Sequence, residues 1–460
     1  MTATPQTEGR LSLTERLSYG FGDLGFSLPY NMASGFLLYY YVTVEKLPAA
    51  AVGTIFLLAR LLDAVIDILV GIAVDRTRSR WGRTRPYFLF MALPYALFFV
   101  AVFAMPEGSE WVRLAYAFVT FKVLGILMSL GSIPYTALMP MMTSRSDQRL
   151  KLSGMRSVGT SVSVVLGTAA TMPLVGLLGG GDEKRGFLGT ATVFAAMSLI
   201  ALTALFRNCR ERQTAHTAER IAILPVVRQM LHNRAWLVAF AFCLAYFVRF
   251  GAMMATTPYF AIDVLHRPWM ISIMLPAVAG MLLLSSFFAP PLYARFGIRK
   301  GCVIVLTTAW VLFALLPFCE ANPPVFLAIY LAACFATSLT ITAAYTMIAD
   351  TVDWHEWTFG NRSEGILSAG VSLATKVGMA IGTAGVAFLL AWVSYNADAV
   401  GEPARQAIRW SYYGGALALI GCQIVIALFW PMDGKHARLR ADIAERRGGE
   451  LIPLDAAPQL

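Results

Sequence analysis

The sequence predicts an all-α membrane protein with twelve transmembrane helices arranged as two halves of six. Apolar residues make up 57% of the 460 residues and charged residues only 14%, whereas soluble domains carry about 25% charged residues. Apolar runs long enough to cross about 30 Å of hydrocarbon recur along the chain. Spanning segments must be helices or a closed barrel, because backbone groups need hydrogen bonds in lipid. The length of the runs and their lack of strict alternation exclude the barrel.

Twelve apolar segments are the predicted spans. In the first half they are residues 18–42, 50–74, 86–105, 111–141, 152–180 and 186–207. In the second half they are residues 235–262, 269–292, 302–320, 324–350, 363–394 and 408–430. The segments divide the chain into an N-terminal six-helix half (1–207), a cytoplasmic central linker (208–234), a C-terminal six-helix half (235–432) and a cytoplasmic tail (433–460).

The basic residues indicate how the chain is oriented. Most of the 37 Lys and Arg residues fall in loops on one side of this arrangement, together with both termini. Such loops face the cytoplasm, so the sequence predicts a multi-pass protein of the inner (plasma) membrane with both termini cytoplasmic. The net charge of +10 is then an orientation signal, and nucleic-acid binding is not expected. An amphipathic run in the linker, at 221–231, is predicted to lie along the cytoplasmic interface.

Several function classes are excluded by the motifs that the sequence lacks. No Gly-x-x-x-x-Gly-Lys-Ser/Thr run is present, so the chain by itself is not predicted to hydrolyse ATP. The six cysteines and five histidines show no metal-ligand spacing. The sequence shows no arrangement of a nucleophile and a base that would indicate an enzyme. We therefore expect no catalytic residue, no cofactor and no metal, apart from a transported sodium ion if sodium is the coupling ion.

Charged residues inside the predicted spans are the first candidates for function, since each costs about 2.5–3.5 kcal/mol at a span centre on insertion scales. Asp63 and Asp67 are four residues apart in the second span, which places both on one helical face, and Arg60 lies three residues earlier. Two carboxylates this close favour the binding of a proton or a sodium ion. The alternative is a structural ion-pair network with Arg60, Arg156 or Lys376.

Four other basic residues also lie within spans. Lys376 is deep in the eleventh span, where we expect it to pair with an acid of the second span. Arg156, near the start of the fifth span, can donate two hydrogen bonds to a polar ligand or form an interfacial salt bridge. Lys122 in the fourth span and Arg249 in the seventh receive no role from the sequence.

Several motifs along nearly the whole chain resemble those of a known transporter family. In chain order they are Tyr19-Gly20-Phe21-Gly22-Asp23-Leu24-Gly25 with Leu38-Tyr39-Tyr40-Tyr41, Val52-Gly53-Thr54-Ile55-Phe56, Asp75-Arg76-Thr77-Arg78-Ser79-Arg80-Trp81-Gly82-Arg83 with Arg85-Pro86, Ile133-Pro134-Tyr135 with Ala137-Leu138-Met139-Pro140, and Ala349-Asp350-Thr351-Val352-Asp353 with Glu364-Gly365. Together they resemble the glycoside–pentoside–hexuronide:cation symporters, the melibiose-carrier branch of the major facilitator superfamily. The resemblance implies the major facilitator fold, with the substrate site near the membrane midplane between the halves.

The resemblance also implies roles for particular residues. Asp63 and Asp67 match the family's cation-binding acids on helix II, and Ser129 and Ser132 are candidates for further oxygen ligands. Ser132 stands where the melibiose carrier has an acid. The implied substrate-binding residues are Asp23, Ser27, Asn31, Thr136, Arg156 and Lys376. Among these, Ser27 replaces a sugar-binding acid and Thr136 an aromatic residue, while Asp23 is assigned to a Gly-Asp-Leu-Gly turn that precedes the sugar site.

Charged cytoplasmic loops at 75–86 and 350–364 suggest a gate. Ion pairs between these loops could close the inner side and break when the halves rock apart. The candidates are Arg76, Arg83, Asp350, Asp353, Glu356, Arg362 and Glu364. The alternative, that the loops only fix topology, explains the arginines but not the acids.

The sequence thus predicts a secondary active symporter that imports a sugar, glycoside or hexuronide with a cation by alternating access. The loss of a carboxylate at Ser132 favours a proton over sodium, because sodium needs several hard oxygen ligands. The predicted partners are a small sugar or glycoside, the coupling cation and the lipid bilayer, with no nucleic acid, and the protein is predicted to be a monomer. The alternative is a sensor or lipid-handling membrane protein on the same scaffold.

Overall fold

The structure, a computed structural model, describes residues 11–143, 146–212, 229–359 and 364–433, together with Asp442. In this part of the chain all regular elements are helical, and the α-helices number thirteen. Most of the predicted interfacial run at 221–231 lies outside the described residues, as does most of the tail at 433–460.

The first half contains seven α-helices that match six predicted spans. They are α1 (Leu13–Tyr39), α2 (Ala49–Arg76), α3 (Arg85–Val102), α4 (Glu110–Met142), α5 (Ser146–Val164), α6 (Thr171–Gly179) and α7 (Glu183–Asn208). Helices α5 and α6 together form the fifth span, which bends by 47°. A π-helical segment, Val165–Ala169, stands at the bend. Such segments disturb the i to i−4 hydrogen-bond ladder and are a known cause of kinks.

The second half contains six α-helices, one for each predicted span. They are α8 (Arg234–Tyr259), α9 (Ile271–Phe296), α10 (Ile298–Leu315), α11 (Pro323–Phe359), α12 (Glu364–Trp392) and α13 (Glu402–Leu428). Short 3-10 segments precede α9, at Pro268–Met270, and follow α10, at Leu316–Phe318.

Among the described residues, eight helices are long and apolar enough to cross a membrane, and the bent α5–α6 pair makes nine. The other predicted spans correspond to α1, α2 and α9, which are 27, 28 and 26 residues long. Helices of this length extend about 40 Å, more than the hydrocarbon thickness. The all-α membrane fold predicted from the sequence is confirmed.

The chain divides into two compact units. The first comprises Met1–Ala218, Trp269–Pro276 and Tyr395–Ala399, and the second comprises Glu219–Pro268, Ala277–Ser394 and Val400–Leu460. In the first unit α1 packs against α5 and α7, and α3 packs against α4 and α7. In the second unit α8 packs against α12 and α13, and α10 packs against α11 and α13. The same neighbour order therefore recurs in the two sets of six spans.

Local details recur in the same way. Helix α1 continues into the π-helical segment Tyr40–Val44, and α8 continues into Phe260–Val264. Just after these segments, Lys46 and His266 have left-handed backbones with the same φ of 54°. Side chains other than glycine rarely adopt this conformation. Its occurrence at matching places indicates that the two units share one backbone plan.

An acidic side chain caps the third helix of each unit. Glu211 accepts main-chain N–H bonds from Arg83 at 2.9 Å and from Thr84 at 2.7 Å, where α3 begins. Asp433 accepts bonds of 3.1 and 3.0 Å from the first two N–H groups of α10. The first N–H groups of a helix have no partner within the helix and attract negative charge. These two caps therefore hold the ends of α3 and α10 against the chain that follows each half.

Glycine allows the first and fifth spans of each unit to approach closely. A Cβ atom added at Gly159 of α5 would overlap the carbonyl oxygen of Gly20 in α1. A Cβ atom added at Gly382 of α12 would overlap the carbonyl oxygen of Val248 in α8. Small residues are the usual means of close helix packing in membranes, where no hydrophobic force drives the helices together.

Candidate functional site

A buried ion pair joins α2 to α4. The ammonium nitrogen of Lys122 lies 2.5 Å from Oδ1 of Asp63 and donates a second hydrogen bond, of 3.1 Å, to the carbonyl oxygen of Ala59. On the other side of the carboxylate, a terminal nitrogen of Arg60 lies 3.8 Å from Oδ2. Asp63 is only 5% exposed and Lys122 only 9%. The Asp63 carboxylate thus has two cationic neighbours inside the first unit.

This pair differs from the partners that the sequence suggested for the acids of α2. Arg60 is near Asp63 as expected, but Arg156 contacts a different acid, described below. Lys122, which received no role from the sequence, is the cation nearest to Asp63. The sequence does contain a signal for this pairing, because a lysine in the middle of a span needs a buried anionic partner. The sequence alone does not show which face of α4 meets α2.

One turn further along α2, Asp67 has a neutral neighbour. The hydroxyl group of Ser129 in α4 donates a hydrogen bond of 2.6 Å to Oδ1 of Asp67. Asp67 is half-buried, and Ser129 is 6% exposed. Ser132 is half-buried, and its carbonyl oxygen accepts a hydrogen bond of 3.1 Å from the exposed Thr136. The structure therefore brings Ser129, but not Thr136, to an acid of α2.

A second buried carboxylate, Asp23, lies between α1 and α5. Oδ1 accepts a hydrogen bond of 3.1 Å from Nε of Arg156, and Oδ2 accepts one of 2.6 Å from Thr160 and one of 3.1 Å from Ser27. Asp23 is 5% exposed. It lies inside α1, so the Gly-Asp-Leu-Gly segment is helical and the expectation of a turn there is wrong. One helical turn separates Asp23 from Ser27, which places both on the face that meets α5.

An aromatic stack lies beside this carboxylate. The guanidinium group of Arg156 is 5.1 Å from the ring centroid of Tyr135, a distance at which cation–π attraction operates. The rings of Tyr135 and Tyr19 are stacked with centroids 4.7 Å apart, and the Tyr135 hydroxyl donates to the carbonyl oxygen of Tyr19 at 2.7 Å. The Arg156 side chain is 35% exposed. Arg156 is therefore the more accessible partner in its pair with Asp23.

The close contact of α1 and α5 explains why these side chains meet. Asp23 follows Gly20 by three residues, and Arg156 precedes Gly159 by three residues, so the pair lies next to the glycine contact. Asn31, two turns further along α1, is 7% exposed and donates a 2.8 Å hydrogen bond to the carbonyl oxygen of Ser27. The structure thus groups Asp23, Ser27, Asn31 and Arg156 along one seam.

The second unit holds two of the remaining basic residues. Lys376 is half-buried in α12. Arg249 in α8 is only 4% exposed, lies 5.2 Å from the ring of Tyr246 and contacts the sulfur of Met253 at 3.6 Å. Among the described residues no carboxylate lies within ion-pair distance of Arg249. Its guanidinium borders a cavity between α8 and α13 that admits about one water molecule.

The acids proposed for the gate at positions 350–356 lie within α11, which continues to Phe359, so the prediction of a loop that begins at 350 is wrong. Arg76 is exposed at the end of α2, and Arg83 is half-buried before α3. Asp350 and Glu356 are buried in α11, while Asp353 is half-buried there. Glu364 begins α12, and Arg362 lies outside the described residues. Ion pairs between the two loops stay a prediction.

These features define a class of protein. Buried carboxylates and basic groups in spanning helices, repeated over two six-span units, are typical of secondary transporters. A family model described as "MFS/sugar transport protein" matches residues 18–433, and the chain belongs to this family. The resemblance to glycoside–cation symporters of the major facilitator superfamily is thereby confirmed, and the prediction that the protein is a transporter and not an enzyme is confirmed with it.

Two curated relatives extend over nearly the whole chain. The isoprimeverose transporter of Lactiplantibacillus pentosus is 30% identical over 95% of this chain and 92% of its own length. The inner membrane symporter YicJ of Escherichia coli K12 is 31% identical over the same shares of the two chains, 95% and 92%. The protein is thus a multi-pass membrane transporter, and its family supports a small sugar-like molecule as the substrate.

A solved structure shares the fold. The crystal structure of a bacterial homologue of the human lysosomal transporter Spinster, in an inward-facing and unoccupied conformation, covers 91% of this chain and 95% of its own. The TM-score is 0.64 at 14% sequence identity. At this identity the likeness concerns the fold alone, and it confirms the major facilitator fold.

Proposed function

We propose that the protein is a secondary active symporter that imports a sugar, glycoside or hexuronide together with a cation, with a proton favoured over sodium, by alternating access. The observation that supports this most directly is the cluster of Asp23, Arg156 and Tyr135. It combines a carboxylate acceptor, a guanidinium donor and an aromatic ring. Sugars present hydroxyl groups that accept hydrogen bonds from a guanidinium group. Arg156 is the accessible member of the cluster, since its side chain is 35% exposed whereas Asp23 and Tyr135 are buried and hold it in place.

Arg156 is the proposed centre of substrate recognition. Asp23 holds its Nε atom, which orients the planar guanidinium group and leaves its terminal nitrogens directed elsewhere. Two parallel donors suit a pair of neighbouring hydroxyl groups or the carboxylate of a hexuronide. Ser27 and Asn31 on the same seam, Thr136 of α4 and Lys376 of the second unit are the other proposed binding residues.

The proposed coupling site lies between α2 and α4. Asp67 with Ser129 supplies a carboxylate and a hydroxyl group, and Asp63 and Ser132 are the other candidates. A proton needs a single carboxylate, whereas sodium needs several oxygen ligands. The ammonium group of Lys122 at Asp63 further supports the proton, because sodium would have to compete with a cation that is already in contact.

The relatives support the sugar class and the location in the inner membrane. One is named as the transporter of isoprimeverose and the other as an inner membrane symporter. We extend the sugar class and the inner-membrane location to this chain on that basis. Both termini are proposed to be cytoplasmic, the protein is proposed to act as a monomer, and the charged loops are proposed to form the inner gate.

The test is substrate-driven ion movement in membrane vesicles, across a panel of pentosides, glycosides and hexuronides. For each sugar that is taken up, the wild type should move protons with the sugar. Asp67→Asn should reduce accumulation against a gradient at least about tenfold and should abolish its response to a pH gradient, since it removes the charged coupling group. Sugar exchange without a gradient should persist.

Asp182→Asn is the matched control, because Asp182 is an exposed carboxylate that caps the start of α7 outside the coupling site. Unchanged gradient dependence in Asp67→Asn for every active sugar would show that Asp67 is not the coupling residue. If no member of the panel is transported by the folded wild type, the proposed substrate class is wrong and the sensor or lipid-handling alternative gains support.

A further inference from the structure

Lys122 stands in the middle of α4, where a lysine needs an explanation. At 1.5 Å per residue it is about 18 Å from the N-terminal end of the helix and about 30 Å from the C-terminal end. Lysines near the ends of a span reach the interface with their flexible stems. Lys122 is too far from both ends, and with 9% exposure its side chain stays in the interior. Its charge is therefore matched inside the protein.

The ammonium group occupies a position with the chemistry of a cation site. Its two acceptors are a carboxylate oxygen of Asp63 and the main-chain carbonyl oxygen of Ala59, four residues earlier in α2. Both are hard oxygen ligands, and carboxylate and carbonyl oxygens are what small metal cations take from proteins. Gly125, one turn beyond Lys122, lets the carboxylate approach α4, since a Cβ atom there would lie 3.0 Å from Oδ1.

Asp63 has two cationic neighbours, which differ in distance and in burial. Arg60 lies 3.8 Å from the second oxygen of Asp63, and its guanidinium group also faces the rings of Tyr30 and Phe121 at 5.6 and 5.7 Å. The nearer and more buried cation is Lys122. If Lys122 lost its charge, the longer Arg60 contact would be the ion pair left to Asp63 among the described residues, and a small cation entering the space left by the ammonium group would supply the close contact again.

We infer that the Lys122 ammonium group is a tethered replacement for an inorganic cation at Asp63. The side chain fills the position permanently, so the wild-type protein does not bind sodium or lithium there. Removal of the ammonium group converts the position into a binding site for an alkali cation that uses Asp63 and the Ala59 carbonyl group. The consequence for coupling rests on the proposed symport, but the cation site itself does not.

The experiment measures the melting temperature of the purified full-length protein in sodium, lithium or choline chloride at one ionic strength. The wild type should melt at the same temperature in all three salts. Lys122→Ala should melt lower than the wild type in choline, and sodium or lithium should raise its melting temperature by at least about 2 °C in a saturable manner, because a ligand stabilises the fold that binds it.

Two controls isolate the site. Lys122→Ala combined with Asp63→Asn should lose the sodium response, since the charge that attracts the ion is gone. Lys184→Ala removes a lysine that pairs with Glu45 at 3.0 Å in the same unit, but its side chain is 57% exposed. After that change the Glu45 carboxylate keeps its ion pair of 2.7 Å with Arg113, so no sodium-specific shift is expected.

The outcomes are distinct. A sodium-specific shift in the wild type that Asp63→Asn removes would overturn the inference, as would a folded Lys122→Ala protein that melts equally in all salts. Lys122→Gln serves as a second variant if the alanine protein is poorly folded in choline. If neither Lys122→Ala nor Lys122→Gln folds in sodium chloride, the inference is also contradicted, because sodium then does not replace the ammonium group. None of these measurements needs a sugar, so a failed transport assay leaves the result interpretable.

Discussion

Asp23 and Asp63 are carboxylates of the same unit with the same 5% exposure, but their cationic partners differ in access. The Arg156 side chain beside Asp23 is 35% exposed, whereas the Lys122 side chain beside Asp63 is 11% exposed. A partner that reaches solvent can exchange a protein contact for a ligand contact. At the scale of single residues, this difference in access is the reason for proposing Arg156 as a substrate-binding charge and Lys122 as a resident charge.

The Asp23–Arg156 pair should be energetically coupled. Asp23→Ala and Arg156→Ala should each lower the melting temperature by several degrees, because each leaves a charged group without its partner. The double variant should lose less than the sum of the two, with a coupling of about 1–3 kcal/mol, as is usual for contacting residues. Thermal unfolding of the four purified proteins gives the coupling.

The Arg185–Asp182 pair is the matched control for this cycle. It joins an arginine and an aspartate at 3.3 Å, but the two side chains are 83% and 47% exposed. Exposed pairs contribute about 0.2–1 kcal/mol. Equal coupling in the two cycles would mean that burial does not strengthen the Asp23–Arg156 contact.

At the scale of helices, the seam between α1 and α5 sets the geometry of the proposed substrate site. The main chains approach where Gly20 faces Gly159. One turn from this contact, Asp23 meets Arg156 and Thr160. The hydrogen bonds of 2.6 to 3.1 Å at Asp23 depend on that approach. A change of helix spacing would therefore alter the site without touching a polar side chain.

Gly159→Ala should force α1 and α5 apart, because the new methyl group overlaps a carbonyl oxygen of the main chain and not a flexible side chain. We expect a melting temperature several degrees lower and reduced sugar uptake, within the usual cost of about 1–3 kcal/mol for overpacking. The same substitution at Gly154, which lies in α5 with open space where the methyl group would stand, is the control.

Gly154→Ala should leave sugar uptake unchanged and should leave the melting temperature unchanged or slightly higher. The reason is that alanine stabilises a helix by up to about 1 kcal/mol relative to glycine. If Gly159→Ala behaves like Gly154→Ala in thermal melts and uptake assays, the close approach of the two helices does not determine the site.

At the scale of the whole molecule, the two units repeat the same helix contacts, the same π-helical segment at the end of the first span and the same acidic cap on the third. The segments before the capped helices are also similar in sequence, with Arg80-Trp81-Gly82 in one unit and Arg295-Phe296-Gly297, which includes the end of α9, in the other. Both glycines have positive φ, 105° and 74°. Six spans per unit return the chain to the side on which it began.

This even number of spans predicts that both termini lie on the same side, and the basic residues predict that this side is cytoplasmic. A green fluorescent protein fused after Leu460 should fluoresce, and an alkaline phosphatase fused there should be inactive, because each reporter is active on only one side of the membrane. In the loop at Gly180–Gly181, between α6 and α7, the phosphatase should be active. The opposite pattern at either point would show that the orientation or the number of spans is wrong.

The fold class, the places of the spans and the unusual charged residues could all be predicted from the amino-acid sequence. These follow from local properties, because lipid forces each long apolar segment into a helix and makes each buried charge conspicuous. Thus all twelve predicted spans overlap helices of the structure, and Asp63, Asp67, Arg156 and Lys122 were recognised as unusual from their positions alone.

Which of these charges meet depends on how the helices pack against one another. Spacing along a helix shows that Asp63 and Asp67 share a face, but the partner of that face depends on the rotation and register of α4 against α2. Those are set by many contacts between distant segments, such as the room that Gly125 leaves for the Asp63 carboxylate. For the same reason Arg156, expected to be a possible partner of α2, pairs with Asp23 across the glycine seam, and Lys122 takes the place beside Asp63.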